Sequence, residues 1–160
     1  MGQYYLLVNV DKEEFICPWC MHGVAKAWEW CANNYIRVLA FLICHSDEEG
    51  GGDPHKDYEY YGRWAYDRIV LIGDYDSSGL FDKADKEYRN ITRDVLREFN
   101  DFMGSVDLMI PYRPCLCHEV RGTIQYKNCP KCGRGLYYFE TLDRRFFYCF
   151  ECHEEVKVSG

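Results

Sequence analysis

The densest apolar run in the chain is Ile69-Val70-Leu71-Ile72, preceded by Asp67-Arg68 and closed by Gly73-Asp74-Tyr75-Asp76. Four branched aliphatic residues in a row between charges predict a strand buried on both faces, and so the centre of a sheet. Tyr4 to Val10 also has strand composition. Asp11-Lys12-Glu13-Glu14 then reads as a turn and Phe15-Ile16-Cys17 as a second short strand, which together predict an N-terminal hairpin. After Cys17-Pro18-Trp19-Cys20 the period lengthens. Val24, Ala27, Trp28 and Cys31 recur on one helical face, and Asn33-Asn34 ends that helix and caps another over 35–44. The β-branched Ile36, Val38 and Ile43 leave a strand as the rival reading there.

Further along, 47–56 is acidic, Gly-rich and Pro-containing, the composition of a surface loop. Residues 80–89 are polar with a few apolar anchors. The most regular helix follows: Ile91, Val95, Leu96, Phe99 and Met103 form one stripe, Asn90-Ile91-Thr92 stands at its start, Asp94 lies in its first turn and Gly104 stops it. Such a stripe is core packing. Val106 to Ile110 reads as a strand, and Pro111-Tyr112-Arg113-Pro114 as a stiff linker. Beyond it, Leu136 to Phe139 and Arg145 to Tyr148 predict two antiparallel strands around a turn at 141–144. The pattern as a whole predicts an α+β fold: a body over residues 1–111 with a small mixed sheet and two or three helices, then a small C-terminal module over residues 112–160.

A chain of 160 residues can bury a core and carry one small appended module. Aromatic residues make up 17% of it, which excludes the disordered class. The longest apolar run, Val38 to Cys44, is too short to span a bilayer, and no secretory leader pattern opens the sequence, so no membrane partner and an intracellular, cytoplasmic location are expected. In a reducing compartment ten cysteines read as thiolate ligands before disulfides. The net charge of −7 is uneven. Residues 1–111 hold 11 Lys and Arg against 20 Asp and Glu, whereas residues 112–160 hold 8 against 6. The body would repel a phosphate backbone and the tail would tolerate one.

Cys129-Pro130-Lys131-Cys132 and Cys149-Phe150-Glu151-Cys152 are two C-x-x-C knuckles separated by sixteen residues. Each knuckle can turn two thiolates inward, and two knuckles close a tetrahedral shell around Zn²⁺. The segment resembles a rubredoxin-like zinc ribbon of the kind found in transcription and translation proteins. Four thiolates leave no open coordination position, so the metal is expected to be structural. Arg134, Arg144, Arg145, Lys127 and Lys131, with Tyr137 and Phe147, form either a basic-aromatic face for nucleic acid or a solvated rim around a small core.

Cys17-Pro18-Trp19-Cys20, between a strand and a helix, resembles the redox motif of thioredoxin-like proteins, in which a helix N-terminus lowers the first thiol's pKa. The reading set above it is a second zinc site made of Cys17, Cys20, Cys115 and Cys117, with His118 or His22 as substitute ligands. That site would staple the hairpin to the segment leading into the ribbon. Cys31 and Cys44 lie in apolar helical segments and are expected to be buried and inert.

Glycines and carboxylates flank the apolar run at 69–72. Gly52, Asp53, Arg63, Trp64, Asp74 and Asp76 are the candidate ligand-binding set; the rival reading is plain turn chemistry. Asp67 and Asp74 would lie roughly 23 Å apart at about 3.3 Å per residue of strand, too far to share a site. Gly2-Gln3-Tyr4-Tyr5, Val8-Asn9, Asp11-Lys12, Gly50-Gly51-Gly52-Asp53, Gly62-Arg63-Trp64-Ala65, Asp67-Arg68-Ile69 and Gly73-Asp74-Tyr75 resemble, in order, a family of small, uncharacterised microbial proteins, over residues 2–76. The resemblance implies no activity, and the chain departs from it at Tyr66, at Cys17 and Cys20, and in its zinc tail. No nucleophile–base pair, phosphate-binding loop or open His-rich metal site is legible. The function expected is a zinc-binding, non-enzymatic binding or regulatory protein docking on a macromolecular partner, protein or nucleic acid. The alternatives are a nucleotide- or small-ligand-binding enzyme using the carboxylates around the central strand, and a thiol–disulfide oxidoreductase through Cys17 and Cys20.

Overall fold

The computed structural model describes residues 2–115 and 124–157. Its fold is α+β, with four α-helices and two small sheets. In the first sheet β1 (Tyr5–Asn9), β2 (Glu14–Ile16), β3 (Ile69–Gly73) and β4 (Arg89–Asn90) lie in the order β3-β1-β2-β4. β1 pairs antiparallel with β2 on one side and with β3 on the other, and β2 takes the two-residue β4 in parallel, so the sheet is mixed. The N-terminal hairpin is present as expected, with Val8 opposite Phe15.

The apolar run at 69–72 is a strand, but it lies at the edge of the sheet. Ile69, Val70 and Leu71 are only partly buried, and the centre belongs to β1, whose Leu6, Leu7 and Val8 are buried. A run of aliphatic residues cannot by itself report which of its flanks has a neighbouring strand. Helix α1 (Ala27–Ala32) is shorter than its apolar spacing predicts, and the Pro18–Met21 stretch before it is a 3-10 turn. Helix α2 (Arg37–Ile43) follows a second 3-10 turn at Asn34–Ile36, which decides for helix over strand in that segment. Its Val38, Phe41 and Leu42 enter the core. Residues 80–87, polar with few anchors, form α3 (Leu80–Glu87).

Helix α4 (Thr92–Met103) carries the expected stripe, with Val95, Leu96 and Phe99 buried, Ile91 buried just before it and Gly104 in the left-handed conformation at its end (φ 72°). Asn90 accepts from the Thr92 backbone N–H at 3.1 Å and from its hydroxyl at 2.6 Å, fixing the helix start. Val106 to Ile110 is not a strand. Its backbone turns instead, Met109 N–H donating to Ser105, and Ile110 is tied to Asn100 of α4. Cys31 and Cys44 are exposed rather than buried, because both helices end within one residue of them and leave their thiols at solvent.

The second sheet is β5 (Tyr137–Glu140), β6 (Arg145–Cys149) and β7 (Glu154–Val156), all antiparallel, with β7 an addition to the two strands the sequence predicts. It packs on α4. Fully buried Asn100 donates to the Ile110 and Glu140 carbonyls and accepts from Ile110 N–H, and Tyr112 N–H donates to Tyr138. Asn100 to Glu140 and Tyr112 to Tyr138 are the bonds that reach the second sheet, and buried polar groups paired in this way fix how it sits on α4.

Candidate metal centres

Each C-x-x-C knuckle of the tail ends a β-turn. Gly133, at φ 74°, donates its N–H to the Cys129 carbonyl and closes the first, and Cys152 N–H donates to the Cys149 sulfur at 3.4 Å in the second. β6 delivers Cys149 beside the first knuckle. The Sγ atoms of Cys129 and Cys152 are 3.9 Å apart and those of Cys132 and Cys149 3.5 Å, and all four lie within 4.8 Å of one another. Four sulfurs at about 2.3 Å from one tetrahedral ion stand about 3.8 Å apart, so this set has the size of a Zn²⁺ shell. It is far too open for disulfides, whose sulfurs approach to about 2.05 Å.

The electrostatics make the same point. Backbone N–H groups of Cys132 and Lys131 bring the Cys129 thiol down to about 7, while hydrogen bonding to Cys132 and its other thiol neighbours pushes Cys152 up to about 12. One thiolate forms readily and further ones are resisted by their neighbours. A divalent cation removes that resistance, so the donor set fits Zn²⁺, with Cys129, Cys132, Cys149 and Cys152 as its holders.

The second cluster is assembled over long sequence distance. Cys17 follows β2, its N–H donating to the Thr92 hydroxyl at 2.8 Å, and the 3-10 turn led by Pro18 carries Cys20 round to it. Arg113 N–H donates to the Cys20 carbonyl at 2.8 Å and so lays the linker alongside. Cys115 Sγ then lies 3.7 Å from Cys17 Sγ and 3.5 Å from Cys20 Sγ. Asn90 Nδ2 donates to Cys20 Sγ at 3.7 Å, the kind of outer contact that holds a metal ligand in place. Hydrogen bonding to Cys115 and Cys20, together with burial, raises the Cys17 thiol's pKa. Three sulfurs at this spacing also fit zinc. Cys117 and His118 lie outside the described residues. His22 is turned elsewhere: its ring is 5.1 Å from that of Tyr137 and 6.2 Å from that of Tyr126, and it is absent from the sulfur cluster. Burial, and then Arg113, lower its pKa to about 4.

A thioredoxin-like pair needs an accessible first thiol at a helix N-terminus. Cys17 and Cys20 are both fully buried, the element after Cys17 is a four-residue 3-10 turn, and Cys115 keeps them company. The geometry therefore favours ligation over redox exchange.

The glycine–carboxylate set is distributed among turns and the core. Arg63 and Trp64 converge on Glu14: Arg63 Nε donates to its Oε1 at 3.0 Å and Trp64 Nε1 to its Oε2 at 2.8 Å. Gly62 N–H and Trp64 N–H donate to the Phe41 and Leu42 carbonyls, and a Cβ on Gly62 would collide with the Cys44 carbonyl, so this glycine is needed for close approach. Asp53 accepts from Gly50 N–H at 2.6 Å in a loop where Gly52 takes φ 94°. Asp74 accepts from Tyr4 N–H at 3.0 Å, and Asp76 from Ser78 N–H at 2.9 Å. Each carboxylate thus closes its own local bond. Buried Glu14, Glu140 and Asn100 escaped the sequence reading; the one available signal was a carboxylate flanking an apolar strand, as Glu14 precedes Phe15-Ile16 and Glu140 follows Tyr137-Tyr138-Phe139.

On the basic tail, Lys131 pairs with Glu154, Arg144 with Glu155 while stacking over Phe146 at 4.2 Å, and Arg145 with Glu140. Most of those cations are thereby neutralised, which favours the solvated rim. No helix among the described residues is long and apolar enough to cross a membrane. Among curated proteins the chain is similar to the LIM domain-containing protein C of Dictyostelium discoideum, at 25% identity over 162 residues covering 91% of this chain and 80% of that protein. No protein-family model matches the chain, and no solved structure matches it significantly.

Proposed function

We propose that this is a zinc-stapled, non-enzymatic binding protein of the cell interior. Its body (1–111) and zinc-ribbon module (112–160) act as one docking platform for a macromolecular partner, in the first instance a protein. The observation that carries the reading is the pair of cysteine clusters, the one in the tail already a complete four-sulfur shell. A closed thiolate shell has no position for water or substrate, so its metal organises a surface and does no chemistry. Cys17, Cys20 and Cys115 hold a second zinc, for which Cys117 is the expected fourth ligand and His118 its alternative. Similarity to a protein named for LIM domains, which are structural zinc modules, favours a protein partner.

One surface feature supports the same reading. Trp28 on α1 is 76% exposed beside half-exposed Val24, and with Asn33, Tyr35, Met109 and Pro111 they border a shallow cleft of about 460 Å³. Large exposed aromatics next to a depression are the usual anchors of protein interfaces. The enzyme alternative rests on Asp53, Asp74 and Asp76, each engaged in its own turn, and has less support. The test is proximity labelling in cells, followed by reconstitution of each candidate with purified, zinc-loaded protein. Binding that falls at least tenfold in Trp28→Ala, with folding and zinc content unchanged, supports the reading. Catalytic turnover of any substrate by the purified chain overturns it.

A further inference from the structure

One cleft belongs to neither cysteine cluster and lies where the linker meets the ribbon. It has a volume of about 690 Å³ and is lined by His22, Arg113, Tyr126, Arg134, Tyr137 and Phe150, with Glu151 at its rim. A cleft of this size accommodates an organic ligand of several hundred daltons. Two features of its wall specify the chemistry that would fill it.

The first is a set of exposed aromatic rings. Tyr126, Tyr137 and Phe150 line the cleft and are each more than a third exposed, and Tyr137 meets Phe150 edge-to-face at 5.2 Å. The second is positive charge. Arg113 and Arg134 are exposed, and no carboxylate among the described residues lies within ion-pair distance of either, in contrast to Lys131, Arg144 and Arg145 on the other faces of the ribbon. Against Glu151 the cleft keeps an excess of one positive charge, although the whole chain is acidic.

A flat face to stack and an anion to pair with two guanidiniums are together the features of one nucleotide unit. We propose that this cleft binds a nucleotide, either as a free nucleoside phosphate or as one or two residues of a single strand. The base stacks on Tyr137 and Phe150, and phosphate lies between Arg113 and Arg134. The acidic body confines the contact to a short stretch, because a longer or double-helical segment would bring phosphates against its charge. This goes beyond the docking reading and does not depend on it, since Trp28 does not line the ring-lined cleft.

The test uses the full-length, zinc-loaded protein, titrated with the four ribonucleoside monophosphates and with tetranucleotides of each base, followed by tyrosine fluorescence and backbone amide shifts. Saturable binding that perturbs residues around Tyr137 is expected, weakened about tenfold by Arg134→Ala and by Tyr137→Ala. For a strand engaging both arginines, log affinity should fall against log salt with a slope of about −1.4. Arg134 is exposed, so Arg134→Ala remains informative even where Tyr137→Ala perturbs the ribbon. Binding by monophosphates assigns a free nucleotide, and binding by strands alone assigns nucleic acid; both uphold the site. Absence of saturable binding by either, affinity unchanged in Arg134→Ala, or equal competition by an acidic peptide lacking any base overturns it.

Discussion

Arg93 on α4 and Glu140 at the end of β5 join the two halves of the chain. Nε donates to one carboxylate oxygen at 2.7 Å and a terminal guanidinium nitrogen to the other at 2.9 Å, with Glu140 1% exposed. Arg93 also lies over the Tyr112 ring at 5.3 Å, so one side chain touches α4, the linker and the ribbon. The pair is bidentate and buried, and removal of one partner leaves a charge without compensation. Arg145 approaches the same carboxylate at 3.2 Å and softens that loss. Arg93→Ala should therefore cost about 2–4 kcal/mol rather than the upper end of the range for buried pairs. Chemical denaturation checks this, and a cost below about 1 kcal/mol would mean that the junction tolerates its loss.

Zinc content gives the second prediction. Purified protein should carry two zinc ions per chain, one for each cysteine cluster, falling to one in Cys17→Ser and to one in Cys132→Ser. Small metal-held segments fold with their metal, so chelation should loosen the ribbon's amide protection. Elemental analysis decides between this and its rival. One zinc in the intact protein, with a Cys17–Cys20 disulfide that re-forms after reduction, would return the redox reading.

Acid should act through Glu14 and Glu140. Burial raises the pKa of each, but the bonds from Arg63 and Trp64 to Glu14, and from Arg93 to Glu140, outweigh burial and leave both below the usual carboxylate range. A folded-state pKa below the unfolded value of about 4.3 contributes stability that is complete above that value and lost as pH falls through the folded one. Glu14→Gln should thus destabilise by about 2 kcal/mol at pH 7 and by progressively less below about pH 4. Urea melts of both proteins across pH 3–7 provide the difference; a constant gap at all pH values would contradict it.

Trp64 and Asp74 separate core from turn. Trp64 is fully buried and donates to Glu14, so Trp64→Ala should cost about 3–5 kcal/mol and is unsuited to testing ligand binding. Asp74→Ala removes a single bond to the Tyr4 backbone and should cost about 1 kcal/mol. Thermal melts read both. A ligand whose binding disappears in Asp74→Ala at unchanged melting temperature would restore the carboxylates to a functional site.

Local signals were legible in the sequence itself. The C-x-x-C knuckles set their own geometry through two-residue turns, so four ligands and their metal follow from spacing. The stripe of α4 and its Asn90 and Gly104 ends depend on neighbours within one turn, and the hairpin of β1 and β2 on a short loop. Tertiary structure decided whatever depends on residues far apart in the chain. β3 is at the edge because β1 is claimed on its other side by β2, a fact of topology that four aliphatic residues do not encode. Cys31 and Cys44 reach solvent because their helices stop, whereas Cys115 meets Cys17 across 98 residues because Arg113 bonds to Cys20. Glu14 and Glu140 look like surface charges in one dimension. They are buried because Arg63 and Arg93, 49 and 47 residues away, arrive with matching guanidiniums, and a carboxylate leaves water only where such a partner is already in place.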